Sequence, residues 1–203
     1  MPPRRVGLLG GSFNPAHSGH LHVSREALKR LDLDEVWWLV APQNPLKPVR
    51  GMAALAERLA GAARFAKDRR IRVLDLERRL GTRYTADTVA SLRRLFPKIR
   101  FIWLMGADNL AQIRHWQRWT RIFAAVPIAV FARPTYCFRG LAGLAARRYW
   151  ARRVGSHAAR GLADAAPPAW AFLLVKLDVS SATEIRSHAR SQGRARGQRS
   201  NVR

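Results

Sequence analysis

Short β-branched and aromatic runs alternate with longer helical patterns along the chain, and this alternation restricts the fold more than any other feature. Val6-Gly7-Leu8-Leu9 reads as a first strand, and Leu21, Ala27, Leu28 and Leu31 repeat near the helical period over about Gly19 to Leu31. Val36 to Val40 is a second buried strand, closed by a loop whose Pro42, Pro45 and Pro48 forbid continuation. The pattern predicts a helix over Met52 to Lys67, a strand at Ile71 to Leu74, a loop through Gly81 and a helix over Ala86 to Leu95. Strands follow at Phe101 to Met105 and Ile128 to Phe131, with short helical pieces between Asn109 and Phe123. A last strand is expected at Phe172 to Val175, leading into a helix from Ala182 to about Arg190. Such alternation specifies a parallel sheet covered by helices on both faces, a single doubly wound α/β domain of Rossmann-like type over residues 1–190. Phe138 to Pro168 lacks any strand signal, is rich in Ala and Arg, and reads as one or two helices with a proline-alanine connection. No internal repeat is visible.

Composition narrows the class. The chain has 203 residues, 48% of them hydrophobic, enough to bury one sizeable core and to exclude wholesale disorder. No apolar run approaches the length of a membrane span, and Met1 to Leu9 lacks the pattern of a signal peptide, so a cytoplasmic protein is expected. Cys137 is the single cysteine, which excludes an intramolecular disulfide and a multi-thiolate zinc site; it reads as a small buried hydrophobe. Lys and Arg number 37 against 13 acids, a net charge of +24 that favours polyanion partners. Only five of these bases are lysines, and the arginines are spread through every predicted element, which points to compositional bias rather than a nucleic-acid footprint. The exception is Ser187 to Arg203, with five arginines and no acids. Residues 191–203 read as a disordered basic tail, and the lack of interleaved aromatics disfavours nucleic acid.

In an open parallel sheet, ligands sit beyond the carboxyl ends of the strands where the strand order reverses. Immediately after the first predicted strand come Gly10, Gly11, Ser12, Phe13 and Asn14, then His17, Gly19 and His20 at the mouth of a helix. Glycines there allow close backbone approach, the helix N-terminus favours an anion, and the three-residue spacing puts His17 and His20 on one side of a turn. The glycine spacing does not match the dinucleotide fingerprint, so a nucleoside triphosphate fits better than NAD. A metal reading through His17, His20 and His22 needs carboxylates, and Glu26 is the nearest in sequence. No residue is assigned to a resident metal.

The string GGSFNPAHSGHLH, Gly10 to His22, resembles the H-x-G-H signature of the nucleotidylyltransferase superfamily, in the form found in bacterial nicotinate-nucleotide adenylyltransferases. Ser181-Ala182-Thr183-Glu184-Ile185-Arg186 is similar to that family's C-terminal signature, placed after the last strand at a helix start. Between them Arg83-Tyr84-Thr85 with Thr88, Gly106-Ala107-Asp108-Asn109, Trp116 and Arg133-Pro134 follow the family's order, so the resemblance covers roughly residues 5–190. The chain departs at Asn14, where Asp is frequent, and at Asn44-Pro45, where paired prolines are frequent. Neither removes a reacting group.

The resemblance implies transfer of the adenylyl group of ATP to nicotinate mononucleotide, giving deamido-NAD and pyrophosphate in NAD biosynthesis. In the family's pattern Gly10, Gly11, Ser12, Phe13, His17, His20, Asp108, Ser181, Thr183 and Arg186 meet ATP, with His17, His20 and Arg186 as the catalytic set and Mg²⁺ arriving with ATP. Asn44, Lys47, Thr85, Trp116 and Arg133 are implied for the mononucleotide, Trp116 stacking on its ring and the backbone around Thr85 receiving its carboxylate. Alternatives are an adenylyltransferase for nicotinamide mononucleotide or phosphopantetheine, although phosphopantetheine enzymes carry Thr at the His17 position. A different class is a basic nucleic-acid-binding protein, which leaves both motifs unexplained. Oligomeric state, substrate order and acid-over-amide selectivity have no signal in the sequence.

Overall fold

The apolar residues of the strands divide between two faces, as the two-residue period of a strand requires. In the computed structural model, which describes residues 3–43, 51–132 and 136–175, seven strands form one sheet: β1 (Arg4–Gly11), β2 (Glu35–Val40), β3 (Ile71–Leu74), β4 (Ile99–Gly106), β5 (Ile128–Phe131), β6 (Arg153–Val154) and β7 (Trp170–Leu173). All pairings are parallel, in the order β3-β2-β1-β4-β5-β7-β6. The helices are α1 (Ser18–Arg30), α2 (Leu55–Phe65), α3 (Leu76–Arg79), α4 (Thr85–Leu95), α5 (Ala107–Gln112), α6 (Trp119–Ala125), α7 (Cys137–Leu141) and α8 (Leu144–Arg148). Short 3₁₀ turns occupy Ile113–His115, Trp150–Arg152 and Ser156–Asp164.

Two cores result. Val6, Leu8, Trp37, Leu39, Phe101, Trp103, Met105, Ile128 and Val130 face one helical layer, supplied by Val89 and Leu92 of α4, Leu110 of α5, Ile122 and Phe123 of α6 and Ala145 of α8. Leu9, Val36, Trp38, Val40, Ile102, Leu104, Ala129 and Phe131 face the other, built from Val23, Ala27 and Leu28 of α1, Ala62 of α2 and Leu162 of the 3₁₀ segment. Central strands with both faces covered are characteristic of a doubly wound sheet. The chain runs outward from β1 to β3, then crosses back to β4 on the other side of β1, so the order reverses between β1 and β4. A crevice at the carboxyl ends of those two strands is the expected ligand position.

The expected strands and helices appear, with four differences. The last described strand is Trp170–Leu173 rather than Phe172 to Val175; its pairing with β5 begins at Ile128 opposite Trp170, so the ladder is set by the neighbour and not by the densest apolar run. The region Phe138 to Pro168 contains β6, whose two residues pair with Trp170 and Ala171 at the sheet edge and are too few to show a period. The stretch read as a loop through Gly81 includes one turn of helix, α3, and the predicted helix over Met52 to Lys67 is the shorter α2. Cys137 is half-buried at the start of α7. Asn44, Lys47, Arg133, Ser181, Thr183, Arg186, the helix expected from Ala182 and the tail 191–203 lie outside the described residues.

Candidate active site at the carboxyl ends of β1 and β4

Gly10 and Gly11 close β1. A Cβ on Gly10 would stand 2.6 Å from Cη2 of Trp103, and one on Gly11 would stand 3.2 Å from Cε2 of Phe13. Internal packing therefore demands a glycine at position 10 and favours one at position 11. Phe13 adopts φ 47°, a left-handed conformation that a bulky residue keeps only when its surroundings fix it. Those surroundings are aromatic: the Phe13 ring stacks on Trp38 at 5.0 Å and meets His20 at 4.5 Å, and Phe13 is fully enclosed.

His17 occupies the N-cap of α1 with extended backbone, and His20 is the third residue of the helix. Their ring centroids are 3.9 Å apart. The His17 amide donates to Nδ1 of His20 at 3.2 Å, and the His20 amide donates to the His17 carbonyl at 3.0 Å. Because Nδ1 of His20 accepts a hydrogen bond, the neutral imidazole carries its proton on Nε2. His17 is buried and His20 half-buried. The first turn of α1 carries no acidic residue, so the positive end of its dipole is not offset there.

Across the reversal point, β4 ends at Gly106 and α5 starts at once, with the half-buried Asp108 in its first turn. Trp116 follows the 3₁₀ turn Ile113–His115. It is half-buried and stands edge-on to Trp103, with centroids 6.3 Å apart at 88°. Thr85 begins α4, and Arg118 pairs with Asp87 of the same first turn at 2.6 Å, which fixes the Trp116–Trp119 turn against the N-terminus of α4. Thus Gly10, Gly11, Ser12, Phe13, His17 and His20 gather at the end of β1. Asp108 and Trp116 follow β4, and the Asp87–Arg118 pair joins the helix that Thr85 begins to the turn that Trp116 opens.

The tertiary structure adds contacts that the sequence pattern does not show. Trp38 backs Phe13 and donates from Nε1 to Ser24 Oγ at 2.8 Å, and Ser24 Oγ donates to the His20 carbonyl at 2.8 Å. Asn14 donates to the Gly51 carbonyl at 3.1 Å and accepts from the Ala53 amide at 3.3 Å, a pairing in which its amide both gives and takes. Arg58 of α2 is buried and reaches back to the same turn. Spacing within one helix cannot reveal such contacts across elements. Among the described residues no three His, Cys, Asp or Glu side chains come together as a metal site, so His17, His20 and His22 do not form a ligand set with Glu26.

Residues 8–188 match the cytidylyltransferase-like family. A protein of Cereibacter sphaeroides named "Probable nicotinate-nucleotide adenylyltransferase" is 55% identical over 185 residues, covering 91% of this chain and 98% of that one. Identically named proteins of Parvibaculum lavamentivorans, 54% identical over 91% of this chain and 92% of theirs, and of Bradyrhizobium sp., 55% identical over 87% and 93%, are equally similar. Among solved structures, the nicotinic acid mononucleotide adenylyltransferase of Plasmodium falciparum complexed with NaAD superposes with a TM-score of 0.69 at 16% identity, covering 91% of this chain and 83% of that one. The same protein complexed with APC gives 0.68 at 15%. At that identity the likeness is one of fold.

Proposed function

From the premise that the chain belongs to the nicotinate-nucleotide adenylyltransferases of the cytidylyltransferase-like family, we propose that it joins ATP and nicotinate mononucleotide into deamido-NAD, releasing pyrophosphate. The observation that carries this reading is the His17–His20 pair locked at the N-terminus of α1 beside the β1–β4 reversal, where a triphosphate would meet aligned donors. A phosphate oxygen of the mononucleotide attacks the α-phosphorus of ATP. The bond from that phosphorus to the oxygen bridging to the β-phosphorus breaks, its electron pair leaves on pyrophosphate, and a new phosphoanhydride remains.

No protein nucleophile is needed, so catalysis rests on positioning and on stabilising charge. The Nε2–H of His20, the neighbouring His17 and the N-terminus of α1 face the developing negative charge. By the same reading Arg186, Ser181 and Thr183 serve the departing pyrophosphate, and Asn44, Lys47 and Arg133 serve the mononucleotide. Mg²⁺ enters on the phosphates of ATP as part of the substrate. Trp116, with Trp103 closing one edge, offers a ring platform for the pyridine; Thr85 begins the helix whose N-terminal amides suit its carboxylate, and Asp108 suits ribose hydroxyls. No helix among the described residues is long and apolar enough to cross a membrane. The substrates are multiply charged nucleotides held inside cells, which supports a cytoplasmic location.

The test is pyrophosphate release from ATP and Mg²⁺ with nicotinate mononucleotide or its amide in parallel. Release with the acid at a kcat/KM well above that with the amide is expected. Release with neither, or with the amide preferred, would overturn the assignment of the second substrate.

A further inference from the structure

Arg58 is the fourth residue of α2 and is only 4% exposed. All of its hydrogen bonds run to backbone carbonyls: Nε to Ala53 at 3.0 Å, Nη1 to Ser12 and to Ala41, each at 2.7 Å, and Nη2 to Pro42 at 2.8 Å. Among the described residues no ion pair involves it, and burial pulls its pKa below the ordinary arginine value. A buried charge without a carboxylate is costly to keep, and α2 would seat against the sheet equally well through an aliphatic side chain. What an aliphatic residue lacks is a planar fork able to bind several carbonyls at once, and charge-assisted bonds of this kind are the strong ones.

The carbonyls it gathers belong to the segments that leave the sheet at the candidate site. Ser12 opens the β1–α1 turn, and Ala41 and Pro42 directly follow β2, already joined to β1 by the Ala41 amide donating to the Gly11 carbonyl at 2.9 Å. A planar trans peptide sets its C=O and N–H in opposite directions, so drawing the Ser12 carbonyl onto Arg58 turns the Phe13 amide away from it. Phe13 is the residue at φ 47°, and its ring is the surface on which His20 rests. Asn14 ties the same turn to Gly51 and Ala53, and Ala53 is itself an Arg58 partner.

We propose that Arg58 is a positioning residue for the phosphate site: its guanidinium binds the carbonyls of Ser12, Ala41, Pro42 and Ala53 and thereby fixes the strained Phe13 turn that sets the place of His20. The assignment deepens the adenylyl-transfer reading and rests on it for its kinetic consequence. The geometric part, that His20 sits where Arg58 puts it, stands independently.

The experiment compares wild type, Arg58→Lys and Arg58→Ala in the full-length chain, with and without tens of millimolar guanidinium chloride. Three quantities are read: melting temperature, steady-state kinetics with ATP and nicotinate mononucleotide, and the NMR position of the His20 imidazole. Arg58→Lys keeps the charge and the stem but not the fork. Its kcat is expected to fall at least tenfold while the KM for the mononucleotide stays within twofold, with the His20 resonance displaced. In Arg58→Ala, guanidinium is expected to restore part of kcat and return the resonance toward its wild-type position. A folded Arg58→Lys with wild-type kcat and an unmoved His20 signal overturns the proposal. So does a loss of melting temperature without change in either, which would make Arg58 a stabilising residue alone. If Arg58→Ala does not fold, Arg58→Lys decides. If wild type fails to turn over the mononucleotide, the functional reading fails, and the His20 resonance still decides on Arg58.

Discussion

Gly10 shows how one atom can connect the core to the site. The space its Cβ would take is filled by the indole of Trp103, which is enclosed between the sheet and Trp116. Gly10→Ala must therefore displace a large rigid ring, and the displacement passes to Trp116; a raised KM for nicotinate mononucleotide with a smaller change in the KM for ATP is the expected result. Equal kinetics for Gly10→Ala and wild type would show that Trp103 does not set Trp116. Glu77 of α3 is a different kind of constraint, a buried carboxyl whose pKa burial pushes up to about 7 from the usual 4.5. The folded chain holds a proton there between those values and the unfolded chain does not, so Glu77 makes stability fall as pH rises from about 4.5 to about 7. The span corresponds to on the order of 3 kcal/mol. Glu77→Gln should flatten that window in urea melts taken across it; an unchanged slope would contradict the assignment. The residues from Gly10 to His20 were legible in the sequence because they are contiguous and carry their chemistry in their spacing. Arg58, Trp38 and Trp103 were not, because a buried arginine or tryptophan shows its partners only when distant segments meet.

The elements follow from the same division between local and distant information. Helix α1 was legible from its apolar repeat, and its apolar seat on β2 carries one polar bridge: Ser24 Oγ accepts from the Trp38 indole and donates to the His20 carbonyl. Ser24→Ala leaves the indole N–H of the fully buried Trp38 without a partner, a cost of about 1–3 kcal/mol. A lower urea midpoint and a shifted tryptophan emission are expected, and an unchanged midpoint would mean that the Ser24 bridge contributes nothing. The five strands nearest the chain start were legible because each is a dense apolar run closed by turn residues. β6 was not, since two residues at an edge have no measurable period and gain their conformation from β7 alone. The ends of β7 were misplaced for a related reason: register comes from pairing with β5, and the exposed Leu174, at 71%, looks apolar in sequence without lying in the ladder.

At the scale of the whole molecule, the parallel order fixes where chemistry can occur. Reversal between β1 and β4 brings the Gly10–His20 segment and the Asp108–Trp116 segment to the same edge of the sheet, although nearly a hundred residues separate them. The doubly wound class was legible from alternation alone; the reversal point was not, because strand order is a property of the assembled sheet. The large positive charge is partly organised at the opposite edge. Asp32 pairs with Arg5 and Arg160, and Asp164 pairs with Arg5 and Arg100, so single acids each serve two arginines. The guanidinium groups of Arg160, foremost, and Arg5 hold the Asp32 carboxyl below its ordinary range. We propose adenylyl transfer at the carboxyl ends of β1 and β4, with the Nε2–H of His20 as a donor to the reacting phosphates. The steady-state kinetics of His20→Ala test this most directly. A fall in kcat on the order of 10²-fold is expected, the usual consequence of losing one donor to developing charge, with binding of nicotinate mononucleotide nearly unchanged. A wild-type kcat, or weakened mononucleotide binding with kcat intact, would contradict it.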